Sequence, residues 1–226
     1  MNINANCRTW PTAWDYDRGE LIADGVVHII GMILALIGAV VLLINTARAP
    51  NALQTPAVAI YSFGLLSMFG FSAAYNMWPI SRIKWILRRL DHSAIFVMIA
   101  ATYTPLFMSQ LTSNTTRLVS HFICVWLTAV IGVAVKILLP GRLDRASVVL
   151  YLLLGWSGIL AYEVWTALPS ASLWLLAAGG VLYSAGIVFH FWHDLRFQNA
   201  IWHIFVLTAA GCHYWAILFC LEKAKA

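Results

Sequence analysis

Seven stretches of roughly twenty residues, almost free of charge, follow one another through this chain, and that spacing limits it to one kind of structure. Lipid offers no partner for a backbone N–H or C=O, so each stretch has to satisfy its own peptide groups as a helix. The stretches run from Leu21 to Ile44, Thr55 to Trp78, Asp91 to Leu111, Leu118 to Leu139, Ser147 to Thr166, Ala171 to Trp192 and Asn199 to Leu221. They predict an all-α integral membrane protein, a bundle of seven transmembrane helices. A chain of 226 residues that is 62% hydrophobic and 10% charged lies well outside soluble globular composition. The connections are short, which predicts one transmembrane domain over residues 21–221, with an N-terminal segment over 1–20 and a short tail over 222–226.

Lys and Arg set the orientation, because positive loops stay cytoplasmic. The N-terminal segment and the loops after the second, fourth and sixth stretches carry ten of the fourteen, and the opposite side carries four. The N-terminus is therefore expected in the cytoplasm and the C-terminus outside. Lys136 falls inside the fourth stretch, from where its side chain can snorkel to the cytoplasmic interface. The net charge of +5 reads as this orientation signal, so membrane lipids are the expected partners and nucleic acid is not. Protein partners leave no mark in the sequence. Cys7, Cys124, Cys212 and Cys220 form no CxxC pair, which argues against a disulfide framework or a thiolate zinc site. The first twenty residues lack the basic start and apolar run of a cleavable signal, so they are expected to be retained.

Polar groups inside the stretches converge on one depth. Asp24 and His28 lie near the cytoplasmic start of the first helix, Ser72 and Asn76 near the cytoplasmic end of the second, and Asn199 and His203 near the start of the seventh. Each pair is spaced i, i+4, one turn apart on one helix face. Asp91 and His92 open the third stretch at the same level, after a basic loop holding Arg82, Lys84, Arg88 and Arg89. Ionisable groups inside a membrane are costly and mark functional sites by default, so four helices sharing a polar level predict a cavity open to the cytoplasm. Interhelical hydrogen-bonded glue is the alternative. His190, His193 and Asp194 in HFWHD have metal-like spacing, but at a helix end they read as solvated. His121 and His213 are expected to hydrogen-bond between helices, Pro105 to kink the third helix with Thr102 and Thr104 nearby, and Glu163 to sit at the outer interface. Gly179 and Gly180 read as helix-packing positions.

GELIADGVVHIIG, FSAAYNMWP, LDHSAIFVMIAATYTP and NAIWHIFVLTAAGCHYWAI occur in that order over nearly the whole chain. Together they resemble the bacterial hemolysin III family, related to the progestin and adipoQ receptors and more distantly to alkaline ceramidases. The resemblance implies seven helices in a bacterial inner (plasma) membrane with a cytoplasmic N-terminus. It also implies a zinc ion held by three histidines, one in SxxxH at the end of helix two and two in HxxxH at the start of helix seven, beside a serine and an aspartate. Ser72, Asp91 and His203 match the serine, the aspartate and the last histidine. Asn76 and Asn199 stand at the other two ligand positions. Zinc sites are built from Cys, His and carboxylate, and a carboxamide oxygen is a much weaker ligand. A metal-free site is therefore expected, with zinc recruited through His203, Asp91 and another histidine such as His28 or His193 as the alternative.

The function this implies is a multi-pass membrane protein of hemolysin III type, with a polar cavity of Asp24, His28, Ser72, Asn76, Asp91, Asn199 and His203, acting in membrane or lipid homeostasis. Enzyme activity is left undecided. With zinc bound, the resemblance implies hydrolysis of a lipid amide or ester, Asp91 acting as base and Ser72 as a hydrogen-bond donor. A lipid receptor and a pore-forming, cell-lysing protein are further alternatives, although so few polar residues do not line a continuous aqueous path.

Overall fold

The structure, a computed structural model, describes residues 16–47, 53–110, 115–139, 141, 143–161 and 168–223. Seven α-helices hold nearly all of them: α1 (Arg18–Ala47), α2 (Gln54–Met77), α3 (Arg82–Met108), α4 (Thr115–Leu138), α5 (Asp144–Trp156), α6 (Ser170–Phe191) and α7 (Gln198–Lys223). Six of the seven are long and apolar enough to cross a membrane, α5 being the exception. Cys7 and Glu163 lie outside the described residues.

Two elements depart from the expected pattern. The basic run expected as a loop is instead the first turns of α3, which begins at Arg82 rather than Asp91. Ser81 caps it, its hydroxyl accepting from the Lys84 backbone N–H at 3.3 Å. The Lys84 ammonium turns back and donates to the carbonyls of Tyr75, Asn76 and Trp78 at 2.9, 3.3 and 2.8 Å. A cation on these orphan carbonyls satisfies the negative end of α2 and folds the α2–α3 corner tightly. The other departure is α5, which ends after 13 residues and passes into a 3₁₀ turn, Ser157–Ala161. The Tyr103 phenol of α3 supplies the partners the broken helix lacks. Its oxygen donates toward the carbonyls of Gly155 (2.6 Å) and Leu154 (3.2 Å) and accepts from the Gly158 N–H (2.8 Å).

α3 lies at the centre of the bundle. One side packs Phe96, Tyr103 and Phe107 against Val125 and Leu154 of α4 and α5. Its other side packs Met98 and Leu106 in a cluster with Tyr61, Phe69 and Ile217 of α2 and α7. α1 seats between α2 and α7, leaving Ile22, Ile29, Ile33 and Ile37 more than half exposed toward lipid. α5 and α6 meet chiefly through Trp156, whose indole donates to the Ser184 hydroxyl at 3.1 Å, and a cavity of about 1090 Å³ lies within the bundle. α3 continues through Pro105, and Thr102 and Thr104 donate to the carbonyls of Met98 and Ala100 at 2.8 and 2.9 Å. His121 meets the Ser157 hydroxyl at 3.4 Å and His213 donates to the Leu176 carbonyl at 3.3 Å, both between segments as expected.

Close helix approaches rely on glycine. A Cβ on Gly179 would run into the His213 ring, and one on Gly64 would lie 2.7 Å from the Ala101 Cβ. Gly64→Leu is expected to push α2 from α3 and destabilise the protein by about 1–3 kcal/mol. Gly211→Ala, with open space around its Cβ, should melt within a degree or two of wild type. Equal melting of both variants in detergent would contradict this packing.

Candidate functional site

The site is built along one face of α1. Asp17 and Glu20 close a reciprocal cap: the Asp17 N–H donates to Glu20 at 2.9 Å and the Glu20 N–H to Asp17 at 2.9 Å. The Glu20 N–H holds the exposed Asp17 carboxyl below its ordinary range; desolvation opposes it, and the Gly19 N–H and Arg196 add to the lowering. Glu20 also accepts from the Phe197 N–H at 2.9 Å. Phe197 has φ of 60°, a left-handed conformation costly for a bulky residue, and this bond helps to hold it. The α6–α7 turn is thereby fixed beside the start of α1. Tyr16, just ahead of α1, lines the same mouth. Burial, then the neighbouring Tyr75, Asp24 and Glu20, push its pKa up to about 12, so it faces the mouth as a neutral phenol.

One turn below Glu20, Asp24 is 3% exposed and receives two groups from α7. His203 Nδ1 lies 2.6 Å from its Oδ1, and Asn199 Nδ2 donates to its Oδ2 at 2.8 Å. A further turn along, His28 Nδ1 donates to the Asp24 backbone carbonyl at 2.8 Å, and His28 Nε2 lies 3.1 Å from the Ser72 hydroxyl of α2. His203 Nε2 approaches the same hydroxyl at 3.3 Å, and the two imidazole centroids are 4.3 Å apart. Asn76 joins the group by donating to the Ser72 carbonyl at 2.9 Å and accepting from Asn199 at 3.0 Å. Asp91 lines the same cavity, with Ser72 and His203 among its polar neighbours. The structure thus brings together all seven residues singled out from the sequence. His193 and Asp194 are exposed, His193 and His190 line the same cavity, and the His190 ring lies against Trp202 while its backbone carbonyl accepts from Gln198 at 2.9 Å.

The match to known proteins covers the same ground. A family model described as Haemolysin-III related matches residues 21–214, from helix α1 well into α7. Hemolysin-3 of Bacillus cereus is 32% identical over 201 residues, covering 88% of this chain and 91% of that one. The Hemolysin-3 homolog of Bacillus subtilis (strain 168) is 34% identical over 205 residues, 90% of this chain and 95% of that one. This chain belongs to the hemolysin III family. The human Monocyte to macrophage differentiation factor is also similar, 30% identical over 222 residues and covering 94% of this chain and 87% of its own. It supports the relation of the hemolysin III family to the progestin and adipoQ receptors.

For this hemolysin III chain the zinc that the resemblance implies can be tested against the donors. The amides of Asn76 and Asn199 are committed to Ser72, Asp24 and each other, and a carboxamide is a poor zinc ligand. Another set, Asp24, His28 and His203, offers donor atoms all within 4.8 Å of one another. Both Asp24 oxygens are occupied, by His203 and Asn199, and the Nδ1 atoms of both histidines are spent on Asp24. The two Nε2 atoms converge on the Ser72 hydroxyl, and the Asp91 carboxyl lies beside them in the same cavity. The family's three-histidine set is thus incomplete in this chain, whereas Asp24, His28 and His203 make an Asp/His/His group of the kind that can hold an ion; in this structure their side chains are joined by hydrogen bonds.

A second polar cluster flanks the cavity mouth. Arg88 and Lys136 each approach an Asp144 oxygen at 2.7 Å, with His92 at 3.9 Å. Lys136 therefore does not snorkel to the interface; it is buried, because a carboxylate across the α4–α5 turn takes its charge. Asp144 escaped sequence reasoning, although a lysine inside an apolar stretch was the signal that a partner had to exist. Burial pushes the Asp144 carboxyl up, but hydrogen bonds from Lys136 and Arg88 outweigh it and hold the pKa at about 2.

Proposed function

We propose that this hemolysin III protein holds a membrane lipid in its central cavity and serves membrane lipid homeostasis in a bacterial plasma membrane, its basic face toward the cytoplasm, without zinc at the family's ligand positions. The observation that carries this reading is the cavity itself. About 1090 Å³ runs from the polar cluster at the basic face past Met68, Met98 and Leu176 to Leu173, so a head group and an acyl chain each meet matching surroundings. The sparse contact between α5 and α6 supports lateral entry of a lipid from the bilayer. The sequence's bias of ten to four in Lys and Arg between the two sides supports the orientation.

The test is metal and lipid analysis of the detergent-purified protein. Zinc well below one per chain, unchanged by His203→Ala, is expected, together with an extractable lipid near one per chain. Stoichiometric zinc that disappears with His203→Ala would overturn the metal-free reading and favour a zinc-dependent lipid amide hydrolase. Protein that is lipid-free in several mild detergents would overturn the lipid reading.

A further inference from the structure

We propose that Ser72, His203 and Asp24 form a metal-free acyl-transfer triad acting on the carbonyl of a lipid ester. This rests on the cavity's holding a lipid. The three side chains come from α2, α7 and α1 and stand in the order such chemistry needs. Ser72 Oγ is 3.3 Å from His203 Nε2, and His203 Nδ1 is 2.6 Å from Asp24 Oδ1. Asp24 is fixed in turn by the Asn199 amide at 2.8 Å, a positioning contact that keeps the carboxylate aimed at Nδ1. Ser72 is 9% exposed, and what it exposes is the cavity.

Counting hydrogens points the same way. The Asp24 carbonyl only accepts, so His28 carries its proton on Nδ1 and presents a lone pair on Nε2. Opposite a carboxylate oxygen, His203 likewise carries a proton on Nδ1 and presents a lone pair on Nε2. The Ser72 hydroxyl has one proton for two Nε2 lone pairs, at 3.1 and 3.3 Å, with the Asp91 carboxyl also in hydrogen-bonding contact with it. A serine hydroxyl placed between two bases is poised to lose its proton. Only His203 has a carboxylate directly on its far nitrogen, since the His28 Nδ1 stands 3.5 Å from the Asp24 carboxylate and faces a carbonyl instead. His203 is therefore the base and His28 a neighbour. The Asn76 amide lies 3.4 Å from Ser72 Oγ and donates to the Ser72 carbonyl at 2.9 Å, which helps to fix the position of this serine.

In the reaction Ser72 Oγ bonds to the ester carbonyl carbon as its proton passes to His203 Nε2. Collapse of the tetrahedral adduct breaks the carbon–oxygen bond to the leaving alcohol, which takes that proton. Water then gives a proton to His203 and attacks the acyl carbon, and Ser72 Oγ leaves with the proton from His203. Acid and alcohol are the products, and the protein is restored.

The test is phosphonylation of the full chain, purified in detergent with chelator present, by an alkyl fluorophosphonate. An adduct on Ser72 is expected by peptide mass spectrometry. Ser72→Ala and His203→Gln should abolish it. The near-isosteric Asp24→Asn should slow labelling by about 10³–10⁴-fold and remove its rise with pH, an effect a purely structural role would not give. Folding is followed by melting temperature, and Asp24→Asn keeps the triad open to refutation if Ser72→Ala fails to fold. Folded wild type with no Ser72 adduct, equal labelling of Asp24→Asn and wild type, or labelling abolished by chelator would each overturn the triad. If lipid still co-purifies in those cases, only the triad falls and the cavity reading stands.

Discussion

Replacing Asn76 and Asn199 together by histidine is expected to give a protein that retains about one zinc ion per chain through purification. The two amide groups already meet at 3.0 Å, and both stand around Ser72 and Asp24 next to His203. Ligands about 2.0–2.1 Å from a tetrahedral ion lie somewhat more than 3 Å from one another, so imidazoles at these two positions with His203 match that spacing. Wild type lacks this donor set, since its carboxamides are weak ligands tied up in hydrogen bonds. Zinc at about a thousandfold over its dissociation constant would raise stability by about 4 kcal/mol, a clear rise in melting temperature on adding the metal. Adding His203→Ala to the double variant should remove both the ion and the shift. Unchanged metal content and unchanged melting would show that these positions do not converge on one point.

The parts of this structure that hydropathy governs were legible in the sequence, and the parts decided by single contacts were not. Apart from the early start of α3, the six long helices begin and end near where the apolar runs do, because in lipid length and polarity alone decide what spans. The i, i+4 pairs identified the shared polar level on α1, α2 and α7. They did not say that His203 rather than His28 meets the Asp24 carboxylate, since that depends on how α1 and α7 are rotated against each other. The early start of α3 was hidden because four cations in a short run read as a loop, whereas Ser81 caps that run and Lys84 is taken up by the carbonyls of α2. The break in α5 was invisible for a similar reason: it is held by Tyr103 of α3, distant in sequence and unmarked by any local signal.

Asp144→Ala should produce the largest loss of stability among single changes outside the packed core. Its carboxylate is the shared anion for Arg88 and Lys136, whose side chains are 12% and 3% exposed. Removing one partner of a buried pair costs roughly 3–5 kcal/mol, because the cation left behind is neither solvated nor paired. Asp144 itself is 34% exposed, so water recovers part of that, and about 2–4 kcal/mol is the expected loss. Asp144→Asn should lose less, since an amide oxygen still accepts from Lys136, and Lys136→Met should restore part of the stability of Asp144→Ala by removing the stranded charge. The pH dependence has a fixed sign. The folded carboxyl titrates at about 2, below its unfolded value near 4, so its contribution is complete above about pH 4 and is lost as pH falls through about 2. The gap in melting temperature between wild type and Asp144→Asn should therefore be constant above about pH 5 and close on acidification. A gap that stays constant to pH 2, or wild-type melting of Asp144→Ala at pH 7, would remove the ion cluster as the tie that joins α3, α4 and α5 at the cavity mouth.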